Sequence, residues 1–397
     1  MKYLILVGDG MADRPLAELG GKTPLAVAHT PNLDFLAASG RLGTAVTIPP
    51  AAPEAGSDIG NLSILGYDPV RYACGRGPLE AANMGIDLGP NDVAFRCNLI
   101  TRDGDRMVDY SAGHITSDEA RELILALDEA LGGPGREFYP GVSYRHLFVW
   151  RNGPAGAVCH PPHDFPGGSL REHWPQGPGA EILGELIERA WEVLDAHPVN
   201  RARLARGQAP ANSIWFWGQG RPPRLVPRPE RCGVRGVVIS AVDLINGLGR
   251  LVGLEVVRVP GATGYLDSNF RGKAEAALAA LVGCDLAYVH VEAPDEAGHE
   301  GSLEKKIRAI ELFDAEVVGP ILAGLRELGP HRVLVLPDHA TPLAARTHTR
   351  EPVPFVLYDS REKHSFSRGF SEDTAAAGEW HEVPGPQLIE MLLAKSP

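Results

Sequence analysis

The sequence predicts an α/β fold, a mostly parallel sheet sandwiched between helical layers with a smaller α+β domain inserted in it. Three observations carry this expectation. Apolar runs (KYLILVG, SIWFW, GVVIS, LEVVRV, LAYVHV, RVLVLP, PFVLY) alternate with stretches of helical period such as KAEAALAALVG and LEKKIRAIELFDAEVVGPILAGLREL, the pattern of helix-flanked parallel sheets. A chain of 397 residues with 44% hydrophobic and 22% charged composition can bury a large core and hold one big domain plus a smaller one. Between 66 and 175 the alternation gives way to clustered strands and Gly/Pro-rich loops.

Taken in order, KYLILVG is a core strand. It carries one Lys, runs straight into Asp9, and lacks both a small-residue cleavage site and the length of a membrane span. LDFLAASG and SDIGNLSILG follow as helices. Then DVAFRCNLI, DRMVDYSAGH, the helix SDEARELILALDEALG, SYRHLFVWRN and AVCHPP give the order β-β-α-β-β, closed by PPHDFPGGSLREHWPQGPG. These boundaries make 66–175 an inserted cap domain and 1–65 with 176–397 the core, which the helix AEILGELIERAWEVLDAH rejoins.

A net charge of −12 argues against broad nucleic-acid binding, which rests on many Lys and Arg contacts to phosphate. The five cysteines, Cys74, Cys97, Cys159, Cys232 and Cys284, are odd in number, scattered and without a CxxC pair, as expected of free thiols in a reducing cytoplasm. Neither a nucleic acid nor a membrane is expected as a partner.

The chemistry-bearing residues gather at strand ends, where open α/β sheets collect ligands. Asp9 follows KYLILVG; Asp295 and His299 follow LAYVHVEAP; Asp338 and His339 follow RVLVLP; His348 lies in the connection to PFVLY. Each alone fits a turn-forming Asp or a satisfied His, but the set together outlines a two-metal site. Carboxylates mixed with imidazoles suit Mn²⁺, Zn²⁺ or Co²⁺ and, less well, Mg²⁺. Asp295 and His299 share one face if their segment is helical. Ser57, after Gly56 and before an apolar-periodic helix, fits a plain N-cap or a nucleophile at a helix start whose amides meet a phosphate. No G-x-S-x-G elbow is present, which leaves metal coordination to activate it.

The segments DGMADRP, KTPLAVAHTPNLDFLAASG, GSDIGNLSILGYDP, GRGPLEA, WFWGQG, HVEAPDEAGHEG and LPDHATP closely resemble the cofactor-independent phosphoglycerate mutases, in their shorter, archaeal-type branch, within the alkaline phosphatase superfamily. The resemblance spans nearly the whole chain. It implies a three-layer α/β/α alkaline-phosphatase-like core and interconversion of 3-phosphoglycerate and 2-phosphoglycerate through a phosphoserine, with no 2,3-bisphosphoglycerate required. It further implies one divalent metal, Mn²⁺ first, on Asp295, His299 and His348, and a second on Asp9, Ser57, Asp338 and His339. Phosphatases, phosphopentomutases and homoserine kinase-like relatives are the alternative activities on the same core.

A mutase must keep water from its phosphoserine, and the inserted domain is the natural lid. Arg96, His114, Arg145, His163 and Asp164 in that domain, with Lys273 from the core loop GYLDSNFRGKAE, are the candidate substrate-binding groups. The arginine motifs of the longer mutases have no residue-by-residue counterpart here.

Overall fold

The computed structural model describes residues 1–394. The chain forms two compact units, Met1–Ala73 with Leu225–Pro397, and Cys74–Arg224. In chain order the strands are β1 (Lys2–Gly8) and β2 (Arg41–Val46) in the first unit. The second holds β3 (Val93–Asp103), β4 (Arg106–Asp109), β5 (Arg136–Val142), β6 (Arg145–Trp150) and β7 (Ser213–Gly220). The first resumes with β8 (Gly236–Ile239), β9 (Glu255–Val256), β10 (Leu286–Val291), β11 (His331–Leu336), β12 (Val353–Asp359) and β13 (Trp380–Pro384).

The first unit is the expected α/β core. Its eight strands lie in the order β13-β2-β12-β11-β1-β10-β8-β9, and every pairing is parallel except those that β12 makes with β11 and β2. β1 sits at the centre between β10 and β11. That position explains its unbroken apolar run, since a strand covered by helices on both faces has no solvent side to make polar. Leu4 and Leu6 of β1 join Val289, Val333 and Val335 in a core closed by Phe270, Ala274, Phe313 and Ile321 from the helices. The long helical stretch read from the sequence runs from Leu303 to Leu328 with one π turn, Phe313–Val318, just before Pro320. Pro320 has no N–H to give the ladder, and a widened turn absorbs the missing bond.

The second unit is a five-stranded sheet in the order β4-β3-β6-β5, with β7 also paired to β3; all these pairings are antiparallel. The helices Ser117–Leu131 and Ala180–Asp195 pack Leu123, Ile124, Leu127, Leu183, Leu186 and Ile187 against Phe95, Phe148 and Phe216.

Here the structure departs from the sequence reading in three places. The helix AEILGELIERAWEVLDAH and the strand SIWFW belong to the second unit, so that unit runs to Arg224 rather than ending at 175. Periodicity identifies a helix or a strand but not the sheet it joins. AVCHPP is not a strand; Val158 makes one isolated bridge to Gln176. The missing strand is instead β5, REFYPGV, whose Pro140 and Gly141 read as a turn. β5 lies at the sheet edge, the position where a proline costs no ladder bond.

Candidate active site

Topology brings the strand-end residues together. β1, β10 and β11 are parallel, so Asp9, the helix Ala293–Glu300 and the Asp338–His339 pair all leave the sheet at one pole. β12 runs the other way, so its entering segment, which bears His348, opens on that pole too. β2 is antiparallel to β12, and its exit loop leads there to the helix Ser57–Ile64.

Two groups result, Asp295 with His299 and His348, and Asp9 with Asp338 and His339. In the first, the four-residue spacing on a helix sets His299 Nε2 3.2 Å from Asp295 Oδ2. His348 Nε2 lies 3.5 Å from Asp295 Oδ1 and 2.9 Å from His299 Nε2. In the second, His339 Nε2 stands 3.4 Å from Asp9 Oδ1 and 3.5 Å from Asp338 Oδ2.

Ser57 is the first helical residue, behind an extended Gly56. Its Oγ makes no cap bond and lies 3.1 Å from His339 Nε2. That geometry disfavours a mere N-cap.

The donor set fits divalent cations. His299 Nδ1 lies 3.0 Å from the Arg346 carbonyl and His348 Nδ1 3.2 Å from that of Ala55. A carbonyl only accepts, so each Nδ1 carries a proton and each Nε2 is the ring atom turned toward Asp295. Two imidazole nitrogens and a carboxylate at these distances need a proton or a cation between them. The hydrogen bond to Asp295 raises the His299 imidazole to about 9. Burial pulls His348 down, but Asp295 outweighs it and the net shift is upward. Burial first, then the charges of Asp338, Asp295 and Glu292, push the Asp9 carboxyl well above its ordinary range. Asp9 Oδ1 is buried without a hydrogen-bond partner, and such carboxylates ionise together only beside a positive charge.

Three residues that the sequence reading passed over hold this arrangement. The Thr341 hydroxyl donates to Asp295 Oδ1 and lies 3.2 Å from His339 Nδ1, so it joins the two groups. Asn61 Nδ2 donates to Asp338 Oδ2 at 2.6 Å and to the Ser57 carbonyl at 2.7 Å, while its Oδ1 accepts from the Tyr288 hydroxyl. Lys306, fully buried, donates to Asp13 Oδ2 and to the Thr341 carbonyl, each at 2.8 Å. Asn61 is one turn beyond Ser57 and Thr341 two residues past His339, spacings that could have flagged both. Lys306 lies in an ordinary helical pattern and gave no signal.

Lys273 is in the first turn of the helix Phe270–Leu281, not in a loop. Its ammonium donates to the His290 carbonyl at 2.9 Å, and burial lowers it to about 8. The other candidate binding residues lie in the second unit. Arg96 is buried in β3, its Nε 3.0 Å from Glu80 Oε1. His114 occupies a loop position of φ 49° with its ring 6.0 Å from that of Tyr144, and Arg145 Cζ lies 5.9 Å from the Tyr144 ring. His163 and Asp164 are exposed neighbours, Nε2 to Oδ1 3.7 Å.

The family described as "2,3-bisphosphoglycerate-independent phosphoglycerate mutase" matches residues 37–200. A Geobacter sulfurreducens protein named "Probable 2,3-bisphosphoglycerate-independent phosphoglycerate mutase" is 53% identical over 99% of this chain and all of its own. A Methanosarcina barkeri protein, named as a mutase of the same kind, is 51% identical over 99% of both. The solved structure of the cofactor-independent phosphoglycerate mutase from Thermoplasma acidophilum aligns over 99% of both chains with a TM-score of 0.70 and 28% identity.

Proposed function

The chain belongs to the 2,3-bisphosphoglycerate-independent phosphoglycerate mutases, isomerases that interconvert 3-phosphoglycerate and 2-phosphoglycerate, and from that premise we propose that Ser57 carries the phosphoryl group between the two hydroxyls. Asp295, His299 and His348 would hold one divalent cation, and Asp9, Ser57, Asp338 and His339 the other, with Mn²⁺ the best match to this mixture of oxygen and nitrogen donors. When bound, such cations lower the pKa of a hydroxyl and offset the charge of the transferring group.

Ser57 Oγ attacks phosphorus in line. The bond from phosphorus to the substrate oxygen breaks as the bond to Ser57 forms, leaving phosphoserine and glycerate. Glycerate turns over, its other hydroxyl attacks the phosphoserine, and Ser57 is regenerated with no water consumed. Asn61, bonded to the Ser57 carbonyl, fixes the helix turn that aims the hydroxyl. Lys273 spends one N–H on the His290 carbonyl and has two more to offer a phosphoryl oxygen. Arg96, His114, Arg145, His163 and Asp164 are the further candidates for binding the anionic groups of the substrate.

The observation that carries this reading is the Ser57 hydroxyl, free of capping duty and 3.1 Å from His339 Nε2. The test is to incubate purified protein with Mn²⁺ and 3-phosphoglycerate and to follow 2-phosphoglycerate against free phosphate. The unaltered protein should form 2-phosphoglycerate in large excess over phosphate, and Ser57→Ala should form neither while melting as a folded protein. Substantial mutase turnover by Ser57→Ala would refute the nucleophile.

A further inference from the structure

Three sequence motifs, DGMADRP, HVEAPDEAGHEG and LPDHATP, supply acid and imidazole groups to the site, and each lends one residue more to a contact that the transfer chemistry does not use. Gly10, Gly298 and Thr341 meet at one point of the first unit. A Cβ on Gly10, whose φ is +60°, would stand 2.6 Å from Thr341 Oγ1 and 2.5 Å from Asp295 Oδ1. One on Gly298 would stand 2.6 Å from the Thr341 carbonyl oxygen and 2.8 Å from its Cγ2. No side chain fits in either place, so the two glycines let Thr341 sit directly against the helix Ala293–Glu300.

Thr341 is fully buried, and its backbone is tied on both sides. Its N–H donates to the Ala12 carbonyl at 3.3 Å, and its carbonyl accepts from Lys306 Nζ at 2.8 Å. The hydroxyl faces the site, and it has a single proton. That proton goes to Asp295 Oδ1. Toward His339 Nδ1, 3.2 Å away, the hydroxyl can therefore only accept, and Nδ1 must carry the hydrogen. In the neutral ring the lone pair then lies on Nε2, the nitrogen 3.1 Å from Ser57 Oγ and 3.4 Å from Asp9 Oδ1. A ring with its hydrogen on Nε2 would have no lone pair to offer there. One hydroxyl thus orients a carboxylate of the first group and selects the tautomer of an imidazole in the second.

We propose that Thr341 is a positioning residue for both cation sites, holding Asp295 for the first and keeping His339 in the tautomer that the second requires. The inference rests on the two-cation reading above, and adds that both sites depend on one side chain outside either ligand set. Partners of metal ligands act in this way when they fix the direction and tautomer of the ligating group.

The test sets the hydroxyl of Thr341 against its methyl group. Thr341→Val keeps the shape and loses the hydroxyl; Thr341→Ser keeps the hydroxyl and loses the methyl that packs on Gly298. Mn²⁺ is titrated into the full-length chain after chelator treatment, with free Mn²⁺ followed by electron paramagnetic resonance. Thr341→Val should weaken both Mn²⁺ sites by about 10- to 100-fold, and Thr341→Ser should hold both within about threefold of the unaltered protein. A residue that only packs would give the reverse order. That order, or a Thr341→Val protein that loses affinity at one site or at neither, would overturn the inference. The tautomer is read independently in the unaltered protein, by nitrogen-15 NMR of labelled histidines at about pH 8, above the ordinary imidazole range, with His339→Gln to assign the signals. Metal-free His339 should carry its hydrogen on Nδ1; a hydrogen on Nε2 would overturn the inference even if Thr341→Val does not fold. An unaltered protein that binds fewer than two Mn²⁺ would instead remove the two-cation reading, and this inference with it.

Discussion

Asn61 donates its amide to Asp338 Oδ2 at 2.6 Å from one turn beyond Ser57. The same side chain accepts the Tyr288 hydroxyl from β10, so a strand, a helix and a strand-end carboxylate meet on one amide. Asn61→Leu would leave the buried Asp338 oxygen and the Tyr288 hydroxyl unpaired. The expected cost is about 1–3 kcal/mol of stability, measured by urea unfolding. Metal affinity, read by competition with a chelator, should fall by about 10- to 100-fold. A variant that melts lower but binds Mn²⁺ as tightly would reduce Asn61 to a core contact.

Metal removal should act on the fold as well as on turnover. Asp9 and Asp338 are buried side by side, with Asp9 Oδ1 unpartnered, so exhaustive EDTA treatment should abolish activity and lower the melting temperature by several degrees. Mn²⁺ or Co²⁺ should restore both. Activity should also fall in acid as the imidazoles protonate and the ligand set is lost. Full turnover in protein shown metal-free by elemental analysis would contradict the two-cation reading.

His146 gives the second unit a pH-dependent stability. It is buried in β6, its Nδ1 accepts the Gly141 amide at 3.0 Å, and burial lowers it from 6.5 to about 3. The folded state therefore keeps His146 neutral while the unfolded chain protonates it below 6.5. Its contribution is fully present above pH 6.5 and is lost as pH falls toward 3, at roughly 1.4 kcal/mol per pH unit. His146→Leu loses the Gly141 bond but cannot protonate. The stability gap between the unaltered protein and this variant should therefore shrink from pH 7 to pH 5. A gap that stays constant would show that His146 is protonated in place.

Retention of glycerate between the two half-reactions is the mark of a mutase. Labelled glycerate in the medium should enter phosphoglycerate far more slowly than 3-phosphoglycerate is converted, and His114→Ala or Arg145→Ala should raise the share of phosphoryl groups lost to water. Rapid uptake of label by the unaltered protein would show that glycerate leaves freely.

Much of the site was legible because its residues are chemically conspicuous and sit at strand ends. Asp9, Asp338 and His339 directly follow apolar runs, and the spacing of Asp295 and His299 announces a shared helix face. The supporting residues were not legible in the same way. Thr341, Asn61 and Lys306 are ordinary residues whose importance comes from what they touch across the sheet. The same limit explains the boundary of the second unit. Trp215 and Phe216 read as a buried strand, but only pairing with β3 shows which sheet they complete. β5 was hidden by Pro140 and Gly141, because the sequence does not say that the strand is an edge.

The threading of the first unit has a consequence for how the protein is made. β1 is synthesised before the other described strands, yet its partners begin only at Leu286 and His331. The second unit closes within one continuous segment that ends at Arg224. At roughly 5–20 residues per second of synthesis, an interval on the order of ten seconds separates the completion of that unit from the arrival of β11. Until β10 is made, β1 has no strand to pair with, and until β11 follows it has a partner on one side only. Its burial, and with it the assembly of every catalytic group around Asp9, is a late event in the life of each molecule.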